Sequence, residues 1–237
     1  MREVAKTALV TRTIVISSSR KRRFVMRLLR WYARHGRDLP WRRTRDPYRI
    51  LVSEIMLQQT PVSRVIPKYR EWLRRYPSLE ALARASVREV RETWYPLGYN
   101  IRPRRLRDIA RTVLKRHQGR LPPTRDALLT LKGIGPYTAG AVLTFAYGQA
   151  EPIVDTNVRR VLRRVFCGRR KASDRHLWAL SAALLPAGDA YNFNQALMDF
   201  GATVCTAHAP RCPSCPMRRF CAAYTSARSD TRDWART

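Results

Sequence analysis

Glu54 stands in an apolar stretch, PYRILVSEIMLQQT (47–60), with Ile50, Leu51 and Leu57 as neighbours at helical spacing. A carboxylate on an apolar stripe costs free energy unless it is paired or kept neutral. Two readings follow. One is a salt bridge to one of the chain's many arginines; the other is a general acid whose pKa is raised by desolvation. Asp155 is the second carboxylate of interest. It follows Pro-Ile-Val and precedes TNVRRVLRRV, where Val158, Val161, Leu162 and Val165 form one apolar helix face. Asp155 or Thr156 is then the N-cap of that helix. A chemical role stands beside the capping role. Two carboxyls can cleave a glycosidic bond, one protonating the leaving group and the other stabilising the sugar cation.

The stretch LKGIGPYTAG (131–140) reads as a turn between two helices. Gly133 suits the left-handed conformation that stops the first, and Gly135 allows a tight turn. Pro136 opens the second without wasting a hydrogen bond. The result is a helix–hairpin–helix. The free N–H groups at the start of its second helix suit a phosphate, and Lys132 adds a cation beside them. An ordinary tight turn between packed helices would look similar. The charge of the chain favours a clamp on the DNA backbone that is indifferent to base sequence.

Cysteine supplies the third candidate site. Four of five Cys fall in one short run, as Cys205-x6-Cys212-x2-Cys215-x5-Cys221, bent by Pro210, Pro213 and Pro216. Four thiolates fit zinc or an iron–sulfur cluster. The spacing lacks the two CxxC pairs of a zinc ribbon, which favours a 4Fe–4S cluster. Arg211, Arg218 and Arg219 share the loop and suggest a second DNA-contacting surface. Cys167 lies apart and reads as structural.

These groups need elements to hold them. The chain has 237 residues, 45% of them hydrophobic, so a sizeable core is possible and global disorder is excluded. Its formal net charge is +30, with Asp and Glu totalling only 17. Such self-repulsion calls for a polyanionic partner, and nucleic acid is the first expectation. A GC-rich genome that favours arginine codons contributes as well. No run reaches the length of a membrane span. Arg12 interrupts the apolar segment 8–16 and no small-residue cleavage site follows, so a secretory leader is rejected and the expected location is the cytoplasm or nucleoid.

Residues 1–22 end in SSSRKRR and are expected to form a mobile basic tail. From Phe24 the pattern is helical. Helices are expected over 24–35, from Pro47 (with Asp46 as cap), and over 61–76, 79–94, 103–117, 124–131, 137–147, 156–166, 173–185 and 191–205. No sustained alternation suggests a sheet, so the fold class is all-α with many short helices.

Taken together, LKGIGPYTAGAVL, IVDTNVRRVL and the four-Cys run resemble the helix–hairpin–helix glycosylases of the endonuclease III superfamily (HhH-GPD). The likeness covers about residues 24–222. It implies a two-lobed helical core over 23–204 with the active site between the lobes, a cluster loop over 205–222 and a terminal tail over 223–237. Within the superfamily, LPWRRTRDPYRILVSEIMLQQTPVSRVIPKY (39–69) and FNQALMDFGATVC (193–205) resemble the MutY adenine glycosylases. By that resemblance Glu54 protonates the adenine ring, Asp155 stabilises the oxocarbenium ion and Asn157 helps to orient the chemistry. Tyr137 occupies the position of the Schiff-base lysine of bifunctional members, so strand cleavage is expected to be weak or absent. Trp41, Arg42, Leu57 and Gln195 fall at base-pocket positions. Gln58 or Gln59 matches the residue wedged into the DNA stack. Lys132, Gly133 and Gly135 serve the backbone, and the four cysteines hold the cluster.

Two departures point elsewhere. Only 16 residues follow Cys221, so no C-terminal domain for reading 8-oxoguanine is expected. PLGYNIRPRRL (96–106) also differs from the usual MutY loop. That length, with Tyr137 beside the hairpin, resembles the archaeal Mig-type thymine glycosylases. The expected activity is therefore that of a monomeric, monofunctional glycosylase on mismatched duplex DNA. Adenine opposite G or 8-oxoguanine is the first target and thymine or uracil opposite G the alternative. A non-catalytic DNA-binding protein and a zinc-ribbon module are the rivals from other classes.

Overall fold

The computed structural model describes residues 16–229. The expectations for residues 1–15, including most of the apolar segment 8–16, and for 230–237 lie outside it. Every regular element among the described residues is helical. Helix α1 (Ser18–His35) begins before the expected start at Phe24, which corrects the tail boundary. The Ser17 side chain accepts from the Arg20 N–H and caps it, a serine cap that the basic run had obscured. A 3-10 turn, Pro40–Arg42, then leads to α2 (Pro47–Leu57). Pro47 opens α2, and the Asp46 carboxylate accepts from the N–H groups of Tyr48 and Arg49, as the sequence indicated.

Next come α3 (Val62–Arg75), α4 (Leu79–Arg84) and α5 (Val87–Trp94). The expected single helix over 79–94 is thus two. Ser86 and Glu89 cap each other's backbone N–H groups at the start of α5, a reciprocal box legible as SVRE. Helix α6 (Ile101–Arg116) precedes the hairpin pair, α7 (Arg125–Leu129) and α8 (Pro136–Phe145). Helix α9 (Thr156–Leu162) runs into a π-helical turn, Arg163–Cys167. Then follow α10 (Asp174–Leu184), α11 (Ala190–Thr203) and, past the cysteine loop, α12 (Ala222–Ser229). The last falls largely within the expected terminal tail over 223–237.

Two apolar cores result. One gathers residues from Leu39 to Ile153, with Trp72, Trp94 and the inner faces of α2, α6 and α8. The other joins Phe24 and Leu28 of α1 to Val158, Val161, Phe193, Phe200 and Met217. The N-terminal helix therefore packs with the C-terminal third of the chain. Helix α2 is buried almost all round, from Tyr48 to Met56 with only Arg49 exposed, because it has neighbours on every side. Full burial of each such apolar side chain contributes roughly 1.5–3 kcal/mol, enough to hold one awkward carboxylate in the middle of the helix.

Candidate active site

A cleft of about 690 Å³ opens between the two cores. Glu54, Tyr137, Asp155, Asn157, Trp41, Arg42, Leu57, Gln58, Gln59 and Gln195 all line it. Glu54 is only 4% exposed. No arginine forms an ion pair with it among the described residues. Its partner is Tyr137, whose hydroxyl donates to Glu54 Oε2 at 2.8 Å. Pro136 and the hairpin place that hydroxyl, since Tyr137 is the second residue of α8. Burial pushes the Glu54 carboxyl up to about 7. The Tyr137 hydrogen bond and the more distant charge of Arg42 oppose the rise, while the charge of Asp155 adds to it. The salt-bridge reading of Glu54 thus finds no partner among the described residues, and the carboxyl lies desolvated against Tyr137.

Asp155 caps α9, accepting from the Val158 N–H at 2.6 Å. Its other oxygen accepts from Asn157 Nδ2 at 3.1 Å. Burial raises its pKa too, against the pull of these hydrogen bonds and of Arg160. Asp155 is thus both the cap and a wall of the cleft. The next links of the network were not visible in the sequence. Arg160 Nη2 donates to Asn157 Oδ1 at 2.8 Å and to the Gly201 carbonyl at 2.6 Å, and Arg160 Nε donates to the Cys205 carbonyl at 2.7 Å. One guanidinium therefore ties the carboxylate's partner to the start of the cysteine loop. Gly201 permits the approach, because a Cβ there would lie 2.7 Å from that of Asn157.

Arg42 borders the cleft, but its guanidinium is committed elsewhere. It donates to both oxygens of Asp199 at 2.8 Å, and Arg37 shares that carboxylate. Asp199 is fully buried, and the two arginines hold its pKa down despite the desolvation. The available signal for it was an acid on the apolar face of the 191–205 pattern. Trp41 is buried, its ring nearly perpendicular to that of Tyr69, so it forms floor rather than rim. Gln195 is also buried. Gln58 is half-buried, whereas Gln59 is exposed at positive φ (55°) at the edge of the cleft.

That left-handed kink has a cause nearby. Buried Arg102 donates to the carbonyls of Ile55, Met56, Leu97 and Gly98 and to Thr60 Oγ1, and it lies between the rings of Trp94 and Tyr99. It caps the end of α2 with a side chain from α6. Nothing in IRPRRLR distinguished it from its exposed neighbours.

The hairpin residues sit apart from the cleft lining. Gly133 has φ of 105°, which favours glycine, and Lys132 is exposed beside it, while Ile134 is buried and anchors the turn. The four cysteines border a separate cavity of about 280 Å³ with Arg163 and Arg164. Among the described residues no three His, Cys, Asp or Glu side chains converge as ligands of one metal ion. The sulfurs do accept hydrogen bonds, from Arg164 Nη1 to Cys205 at 3.7 Å and from the Met217 N–H to Cys215 at 3.4 Å. Cys167 is buried in the π turn that follows α9, outside this group.

A buried acid, a hydroxyl on it and a helix-capping aspartate, held between two helical cores beside a hairpin, define a helix–hairpin–helix site. Residues 52–186, more than half of the chain, match the model of the HhH-GPD superfamily base excision DNA repair proteins, and the chain belongs to that family. It is 49% identical over 193 residues to an adenine DNA glycosylase of Mycolicibacterium smegmatis, covering 80% of this chain and 66% of that one. It is 41% identical to a thymine/uracil-DNA glycosylase of Pyrobaculum aerophilum, covering 80% and 86%. A solved thermostable thymine-DNA glycosylase superposes with a TM-score of 0.82 at 35% identity, covering 87% of this chain and 97% of the other. The chain thus spans about two thirds of the mycobacterial relative's length.

Proposed function

We propose that the protein is a monofunctional base-excision DNA glycosylase that removes a mispaired base from duplex DNA. The observation that carries the reading is Glu54, a carboxyl raised by burial to about 7, bonded to Tyr137 and placed in one cleft with Asp155. A base reached there must leave the stack, and the exposed, kinked Gln59 at the rim suits the gap it leaves. Glu54 delivers its proton to the base as the bond from its ring nitrogen to C1′ of the sugar breaks. The bonding electron pair leaves with the base. Ionised Asp155 faces the oxocarbenium ion, with Asn157 fixing its orientation. Water adds at C1′ and gives its proton to the carboxylate left on Glu54, so no strand break results. Lys132 and the hairpin N–H groups hold the backbone. The protein works as a monomer in the cytoplasm or nucleoid.

The cysteine loop fits a 4Fe–4S cluster better than a single ion. Its four sulfurs border one cavity, and those of Cys205 and Cys215 accept N–H bonds, from Arg164 and from the Met217 backbone, of the kind that steady a ligating sulfur. Cys205, Cys212, Cys215 and Cys221 would hold the group, which would staple the loop against α9 and α11 as a structural clamp.

Adenine opposite G or 8-oxoguanine is the favoured target, on the mycobacterial likeness together with Gln195 in the cleft. Thymine or uracil opposite G is the second reading, favoured by the fuller coverage of the Pyrobaculum enzyme and of the thymine-DNA glycosylase structure. Single-turnover release on A·8-oxoguanine, A·G, T·G and U·G duplexes, each followed by alkali, tests both. Release of A alone supports the first, and release of T or U with A untouched replaces it with the second. No release from any duplex, with binding intact, refutes the enzyme.

A further inference from the structure

The cations of α1 are not spread around the helix. Arg20, Arg23, Arg27, Arg30 and Arg34 follow at steps of three and four, so they share one face. No acid occurs between Ile16 and Arg37. The stripe flanks the buried edge carried by Phe24 and Leu28. Two of its members are tied down. Arg20 donates to the Val165 carbonyl at 3.1 Å, and Arg27 donates to the Pro216 carbonyl of the cysteine loop at 2.7 Å. Arg23, Arg30 and Arg34 are exposed, and their side chains make no hydrogen bond or ion pair with any described residue.

Like charges at these spacings repel and weaken a helix, and a counter-ion laid along them removes that cost. The row from Arg20 to Arg34 is ~21 Å long at ~1.5 Å per residue. Along it, between α1 and the cysteine loop, Arg27, Arg30, Arg34 and His35 border an open groove of about 350 Å³. Arg37, just beyond the helix, lines the cleft. An open row of single cations that starts at the cleft matches the repeating phosphates of a strand, one per ~3.4 Å of axis, and not one small anion.

We propose that the α1 stripe is a second DNA track, gripping the phosphate backbone of duplex that flanks the target and leads out of the cleft past the cysteine loop. The proposal rests on the cleft being the DNA site. The test uses the full chain and the triple variant R23Q/R30Q/R34Q, whose glutamines keep part of each aliphatic stem. Binding is measured by fluorescence anisotropy across a salt series, on a long duplex and a short one, each centred on a stable abasic-site analogue. With ~0.9 counterions released per phosphate contact, the variant's salt slope on the long duplex should be shallower by about 2.7. Its affinity near ~0.15 M salt should fall tenfold or more. R22Q, off the stripe, should change the slope by no more than about 0.3.

An unchanged slope overturns the track. So does an equal loss on both lengths, which would put the contacts at the lesion itself, and so does failure of the wild type to bind either duplex. Base release by the wild type, read in parallel, separates the two ideas. A shallower slope without any base release keeps the track and sinks the enzyme; base release with an unchanged slope does the reverse.

Discussion

Glu54→Gln separates burial from chemistry in one variant. Glutamine keeps the shape and still accepts the Tyr137 hydroxyl, but it carries no proton to give and no charge to bury. In the folded protein the carboxyl rises from an ordinary 4.5 to about 7. The native state therefore holds this proton more tightly than the unfolded chain. Its contribution to stability is complete below about pH 4.5 and is lost as pH rises through about 7. At ~1.4 kcal/mol per pKa unit, the ionised group costs the fold about 3 kcal/mol at pH 8 and under about 1 kcal/mol at pH 5. The glutamine variant should gain more at pH 8 than at pH 5, by about 2 kcal/mol, which is roughly 4–8 °C in melting temperature for a chain of this size. Thermal melts of both proteins at the two pH values measure it. Single-turnover base release should fall ~10²–10⁴-fold, the usual worth of a general acid. An equal stability gain at both pH values would show that Glu54 ionises normally and would refute the desolvation argument. Base release at the wild-type rate would remove it from the chemistry.

Other outcomes follow from the same geometry. The pH profile of base release should be bell-shaped, since the reaction needs Glu54 protonated and Asp155 ionised; the alkaline limb should bend near 7, set by Glu54. A rate still rising at pH 9 would contradict that assignment. Borohydride should trap no covalent complex between the wild type and its DNA, whereas Tyr137→Lys, which places an amine in the cleft, should yield one on gels. Arg160→Ala strips hydrogen bonds from Asn157, Gly201 and Cys205 together, so it should lower both base release and the absorbance near ~400 nm that the proposed cluster would give, at a stability cost of about 2–4 kcal/mol. Full colour together with full activity would break that link. Arg102→Leu leaves the carbonyls at the end of α2 unmet and should cost about 3 kcal/mol, read as a lowered urea midpoint.

Chain-local physics made much of this molecule legible in advance. The all-helical class, the Asp46-Pro47 and Asp155 caps, and the Gly133-to-Pro136 hairpin depend on residues within a turn or two of one another, so spacing alone reveals them. The same holds for Ser17 and for Ser86 with Glu89, whose capping signals lie within three residues of the groups they meet. The sequence by itself also determined that an acid must sit in a helix with no wet face, because PYRILVSEIMLQQT leaves Glu54 no polar side to turn toward. What that acid meets there was decided only by folding. Tyr137 reaches it across 83 positions. Asp199 takes up the guanidinium of Arg42 at the border of the cleft across 157, and α1 packs on α11 near the other end of the chain. Arginine is so abundant that no pattern tells a buried Arg102 or Arg160 from a solvated neighbour. A guanidinium's partner is whichever carbonyl or carboxylate the packed cores leave without one, and that is a property of the assembled tertiary structure.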